Sequence, residues 1–95
     1  TSQPVEIAPV GYGWQSVYES GANGQTSAPE AQARFNSLYA ADGSHPSVRG
    51  TYLAAAVFFE LLTQAPSHLS IWTPSGVDGD TQAWITKAAS DAFML

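Results

Sequence analysis

Val5-Glu6-Ile7-Ala8-Pro9-Val10-Gly11, followed at once by Tyr12-Gly13-Trp14-Gln15-Ser16-Val17-Tyr18, is the stretch on which the fold class turns. Its first half reads as a short strand over residues 5–10, with Pro9 near the end, where a missing N–H matters least. Trp14, Val17 and Tyr18 then recur at helical spacing, which predicts a helix over 12–20 that stops at Gly21. A strand closed by glycine and followed directly by a helix is the basic unit of an α/β fold.

Working outward, residues 21–28 are rich in Gly, Asn, Gln, Ser and Thr and read as a loop. Ser27 and Glu30 have capping-box spacing, and Ala31, Phe35 and Leu38 follow helically. Asp42-Gly43-Ser44-His45-Pro46 is a tight turn, in which Pro46 disfavours helix at His45. Ser47 is positioned to cap the next helix, predicted over 48–64 and ended by Ala65-Pro66. Between Tyr52 and Leu62 that helix carries one charge, Glu60. A helix so apolar is expected to be buried on most sides, more than so short a chain can provide. After a turn at Pro74-Ser75-Gly76, Asp78 or Asp80 can cap a last helix over 80–93. There Trp84, Ala88 and Ala92, and Ile85, Ala89 and Phe93, form adjoining rows.

A length of 95 residues allows one small domain. Hydrophobic residues make up 44%, which excludes a disordered tail. Charged residues make up only 12%, about half the usual share for a soluble domain. The net charge of −5 argues against nucleic acid, because Arg34, Arg49 and Lys87 alone could meet phosphates. With no cysteine there is no disulfide, thiolate metal site or cysteine nucleophile, and the redox compartment stays open. No apolar run reaches the roughly 18 residues of a membrane span. The first residue, Thr1, suggests a processed or cleaved piece, and a removed signal peptide would leave the same trace, so a secreted or periplasmic location stays open.

Asp42 and His45 are the candidate chemistry. A carboxylate three positions before an imidazole, across a tight turn, can accept a hydrogen bond from one ring nitrogen and fix the tautomer. The other nitrogen is then free to take a proton from a hydroxyl. The plainer reading of the same residues is an Asx-turn beside a surface histidine. Ser44 adjoins the imidazole in sequence and Ser47 suits a cap, so neither is a strong nucleophile. His68 could join His45 and Asp42 around a metal, but no helical His pair or cysteine supports that. Trp14, Trp72 and Trp84 read as core or interface anchors.

Asp42-Gly-Ser-His45-Pro46-Ser47, then Gly50-Thr51-Tyr52-Leu53-Ala54-Ala55 and Val57-Phe58-Phe59, closely resembles the C-terminal block of SGNH (GDSL-type) hydrolases. Ala8-Pro9-Val10-Gly11-Tyr12-Gly13-Trp14 looks like that family's last core strand and the helix entry behind it, and Leu38-Tyr39 fits before the acid. The resemblance covers about residues 5 to 65. It implies a C-terminal segment of a flavodoxin-like three-layer α/β/α domain with esterase or acyl hydrolase activity. His45 would be general base and Asp42 its orienting acid, with no cofactor or metal.

The family's Gly-Asp-Ser nucleophile block and its oxyanion-hole glycine and asparagine have no counterpart here. Gly79-Asp80 is followed by Thr81, and Asn23 and Asn36 lack matching surroundings. The expectation is therefore half an active site, whose serine comes from a companion chain and whose substrate is a small acyl ester, carbohydrate O-acetyl groups among them. The isolated chain is expected to be inactive. The alternative is a non-catalytic binding or structural module that keeps the motif as a fold feature.

Overall fold

The computed structural model describes residues 9–67 and 73–93, and places four helices there: α1 (Val10–Glu19), α2 (Ala28–Ser37), α3 (Val48–Thr63) and α4 (Gly79–Ala92). Among the described residues there is no strand, and the one β-type contact is an isolated antiparallel bridge between Tyr39 and Pro46. This corrects the α/β expectation. Residues 5–8 of the predicted strand lie outside the described residues. Its last residue, Val10, already belongs to α1, which Pro9 precedes as N-cap. The reason is periodic: Val10, Gly13, Trp14 and Val17 recur three and four apart, so the apolar row of a helix begins where a strand was expected to end.

α1 packs against α2, α3 and α4, and α3 packs against α4. Gly13 makes the α1–α3 approach close, since a Cβ there would lie 3.4 Å from Leu53 Cδ1 and 3.5 Å from Val57 Cγ2. Leu38, Leu53, Val57 and Ile85 are fully buried at the centre, with Val17, Ala88 and Ala89 around them. Each such aliphatic side chain contributes about 1.5–3 kcal/mol by leaving water.

Three of the helices start on side-chain caps. Ser27 Oγ accepts from Glu30 N at 3.2 Å, Ser47 Oγ from Gly50 N at 3.2 Å, and Asp78 Oδ1 from Thr81 N at 2.8 Å. α3 ends on Gln64, which adopts a left-handed conformation at φ 59° and donates its N–H to Glu60 O at 3.0 Å. Pro66 follows two residues later.

Among the described residues α3 is not surrounded. It buries Gly50, Tyr52, Leu53, Ala56 and Val57, while Val48, Phe58 and Leu62 on the other side are exposed. The near-continuous apolar run had predicted burial on most sides, more than so short a chain can provide, and among the described residues α1 and α4 cover one face.

Candidate functional site

Residues 38–47 form a loop closed at its neck. Ser47 N donates to Leu38 O at 2.8 Å and Ala40 N to His45 O at 2.7 Å, the two flanking the Tyr39–Pro46 bridge. Gly43 turns the tip with φ 72°, a conformation that glycine adopts without cost, and donates to Ala40 O at 2.9 Å. Gly50, in the first turn of α3, sits against the neck: a Cβ there would fall 2.2 Å from Leu38 O. Ser47 does two jobs, since its hydroxyl donates to Ser37 O at 2.6 Å while accepting from Gly50 N. The end of α2, the loop and the start of α3 are therefore one joined unit. An edge-to-face row of Tyr18, Phe35 and Tyr39, with centroids 5.2 and 5.6 Å apart, packs the near side of the neck.

The loop brings Asp42 and His45 together. Asp42 Oδ2 lies 2.6 Å from His45 Nδ1, while Oδ1 accepts from Ser44 N at 2.9 Å and His45 N at 3.0 Å. Both carboxylate oxygens are thus occupied, one by backbone and one by the ring. The backbone N–H of His45, then that of Ser44, then the imidazole hold the Asp42 carboxyl below its ordinary pKa. A carboxylate that stays ionised and faces Nδ1 favours the tautomer with the proton on Nδ1, leaving Nε2 as the acceptor. The pair is open to water, with side chains 77% (His45) and 52% (Asp42) exposed, so its ion-pair character adds little stability.

No hydroxyl among the described residues hydrogen-bonds His45 Nε2. Ser47 is committed to its two backbone partners, and Ser44 contributes its backbone N–H to Asp42. His68 and Trp72 lie outside the described residues. Trp14 and Trp84 are half-buried against the core. Among the described residues no group of three or more His, Cys, Asp or Glu is placed to hold a metal, and no helix is long and apolar enough to cross a membrane.

Two clusters escaped sequence reasoning. Glu60, the lone acid of the apolar run, accepts from Ser67 N at 2.8 Å and from the hydroxyls of Ser67 and Ser90, with Ser90 Oγ 2.9 Å from Oε2. A single charge in such a run was the available signal, because a part-buried carboxylate needs donors. Arg34, Arg49 and Lys87, the only cations in the sequence, line one cleft of about 560 Å³. Glu30, Asp78 and Asp80 line it too, so its charges balance. Arg34 lies over the Trp84 ring at 5.4 Å, a cation–π contact. Comparison with protein-family models, curated proteins and solved structures returns no match to this chain.

Proposed function

We propose that Asp42 and His45 are the acid–base half of a serine ester hydrolase of SGNH type, with the nucleophilic serine supplied by a companion chain. The observation that carries this reading is the 2.6 Å contact between Asp42 Oδ2 and His45 Nδ1, with no hydrogen bond from Nε2 to another described residue. In the reaction, Nε2 takes the serine proton as the serine oxygen bonds to the acyl carbon. The imidazolium then gives that proton to the departing alkoxide, and the acyl group stays on the serine. Water, deprotonated by the same nitrogen, attacks the acyl carbon and releases the acid, and the proton returns to the serine. Asp42 keeps the ring aligned and favours the cation formed in each half. Small acyl esters, carbohydrate O-acetyl groups among them, are the substrate class.

The test is turnover of p-nitrophenyl acetate by the protein purified together with any companion chain. His45→Ala should lower kcat about 10²- to 10⁴-fold, the usual worth of a positioned general base, and Asp42→Asn should lower it strongly by favouring the wrong tautomer. Wild-type turnover in His45→Ala refutes the assignment. A second reading, a non-catalytic module, draws on the two backbone bonds to Asp42 Oδ1, which would hold the loop whether or not the ring reacts. A folded monomer with no esterase activity and no companion favours it.

A further inference from the structure

α2 packs chiefly on α1, and the cleft of about 560 Å³ described above is the gap it leaves beside the starts of α3 and α4. Glu30 and Arg34 reach this cleft from α2, Arg49 from α3, and Asp80 and Trp84 from α4. Neither Asp42 nor His45 lines it. Its size is that of a small-molecule site.

The charges in the cleft are equal in number but do not neutralise one another in pairs. Lys87 is tied to Asp91 at 2.7 Å, and Asp78 is occupied as the cap of α4. That leaves Arg34, Arg49, Glu30 and Asp80. Arg34 Nε lies 3.9 Å from Glu30 Oε1, too far for a hydrogen bond. That nitrogen is buried and has no hydrogen-bond partner among the described residues. Buried donors are nearly always paired, so an unpaired one on a cation calls for a reason beyond packing. The Trp84 ring, 5.4 Å away, holds the guanidinium in place instead.

Depth sorts the charges. The Arg34 side chain is 27% exposed and Arg49 is half-buried, whereas the Glu30 side chain is 52% exposed and Asp80 is exposed too. The cations therefore lie deeper and the carboxylates nearer water. Guanidinium groups take a carboxylate through charge-assisted hydrogen bonds. The outer acids, and the net charge of −5, repel a ligand that is anionic throughout. The same acids attract an ammonium carried on the same ligand.

We infer that this cleft binds a small zwitterion, its carboxylate met by Arg34 and Arg49 and its ammonium turned outward to Glu30 and Asp80. Neighbouring helices stand roughly 8–10 Å apart, so a ligand whose two charges are separated by a short aliphatic chain spans the gap. The inference does not depend on the hydrolase reading.

The test titrates the isotope-labelled full chain with 6-aminohexanoate and follows the Arg34 Nε–H and Trp84 Nε1–H signals by NMR. Hexanoate and hexylammonium, of the same length with one charge each, and inorganic phosphate are the comparisons. The zwitterion should move both signals to saturation with a Kd of about a millimolar, as suits a ligand of so few atoms. Each comparison compound should bind about tenfold or more weakly. Arg49→Gln and Asp80→Asn should each weaken zwitterion binding about tenfold, with the helical signal in circular dichroism unchanged. Should Arg49→Gln lose helicity, Asp80→Asn and the ligand series carry the test, because Asp80 is exposed. No saturable shift at about 0.1 M, a hundredfold above the expected Kd, overturns the site. Hexanoate, hexylammonium or phosphate binding as tightly as the zwitterion overturns the ligand class and the proposal with it, as does undiminished binding by a folded Asp80→Asn protein.

Discussion

Gly50→Ala separates two forces that point in opposite directions. Helix propensity alone makes the substitution stabilising, by about 1 kcal/mol, because alanine loses less backbone freedom than glycine. Position 50 reverses that sign. The new Cβ would lie 2.2 Å from Leu38 O and 3.1 Å from Pro46 Cβ, and the first of these is backbone that is already accepting from Ser47 N. A carbon and an oxygen need about 3.3 Å even in their closest favourable contacts, so the start of α3 must retreat from the loop neck by roughly 1 Å. Overpacking of this kind costs about 1–3 kcal/mol, and the retreat also strains the Ser47–Leu38 bond, worth about 1 kcal/mol. The net expectation is a loss of about 1–3 kcal/mol. Urea denaturation followed by circular dichroism reads it. Gly11→Ala is the control, since among the described residues no neighbouring atom lies within 4 Å of a Cβ there, and it should leave stability unchanged or raised. A Gly50→Ala protein at least as stable as wild type would show that the neck is not the rigid support of the dyad described above.

Ser47→Ala should cost about 1–2 kcal/mol, because it removes the cap of α3 and the tie to Ser37 O together; the urea midpoint checks it, and a change under a few tenths of a kcal/mol counts against the joint role. Glu60→Ala leaves Ser67 and Ser90 without their shared acceptor and should cost about 1–3 kcal/mol, which thermal melting would register as a lower Tm. Asp42 and Asp78 both have folded-state pKa values below the ordinary one, chiefly through the backbone N–H groups of His45 and Thr81. Their contribution is thus fully present above about pH 4 and fades as pH falls through the lower folded values. Urea midpoints between pH 5 and pH 2 should drop, and the drop should be smaller in Asp42→Asn; equal slopes in both proteins would remove Asp42 from the explanation.

The helix starts were legible because a cap is a local matter: Ser27, Ser47 and Asp78 each reach an N–H three residues on, and spacing alone reveals that. The Asp42–His45 contact was legible for the same reason, since both partners sit in one turn. One error was local: the spacing of Val10 to Gly13, Trp14 and Val17 was in the sequence, and the strand reading of residues 5–10 was carried across it. What stayed hidden lies where a longer-range fact decides. Gly50 is an unremarkable residue of a helix in the sequence, and only the return of the chain at Leu38 makes a side chain there untenable. For α3, composition tells that the helix has more apolar surface than so short a chain can cover, and says nothing of which face is left open.

The stitched neck of the 38–47 loop also bears on entropy. His45 has its own carbonyl bound to Ala40, its N–H bound to Asp42, and proline locking the next residue. Most of the freedom that a surface histidine forfeits on engaging a ligand has therefore been surrendered during folding, and the contact with Asp42 restrains the ring as well. Under the proposed function, the entropic cost of completing the centre would fall mainly on the group that brings the hydroxyl.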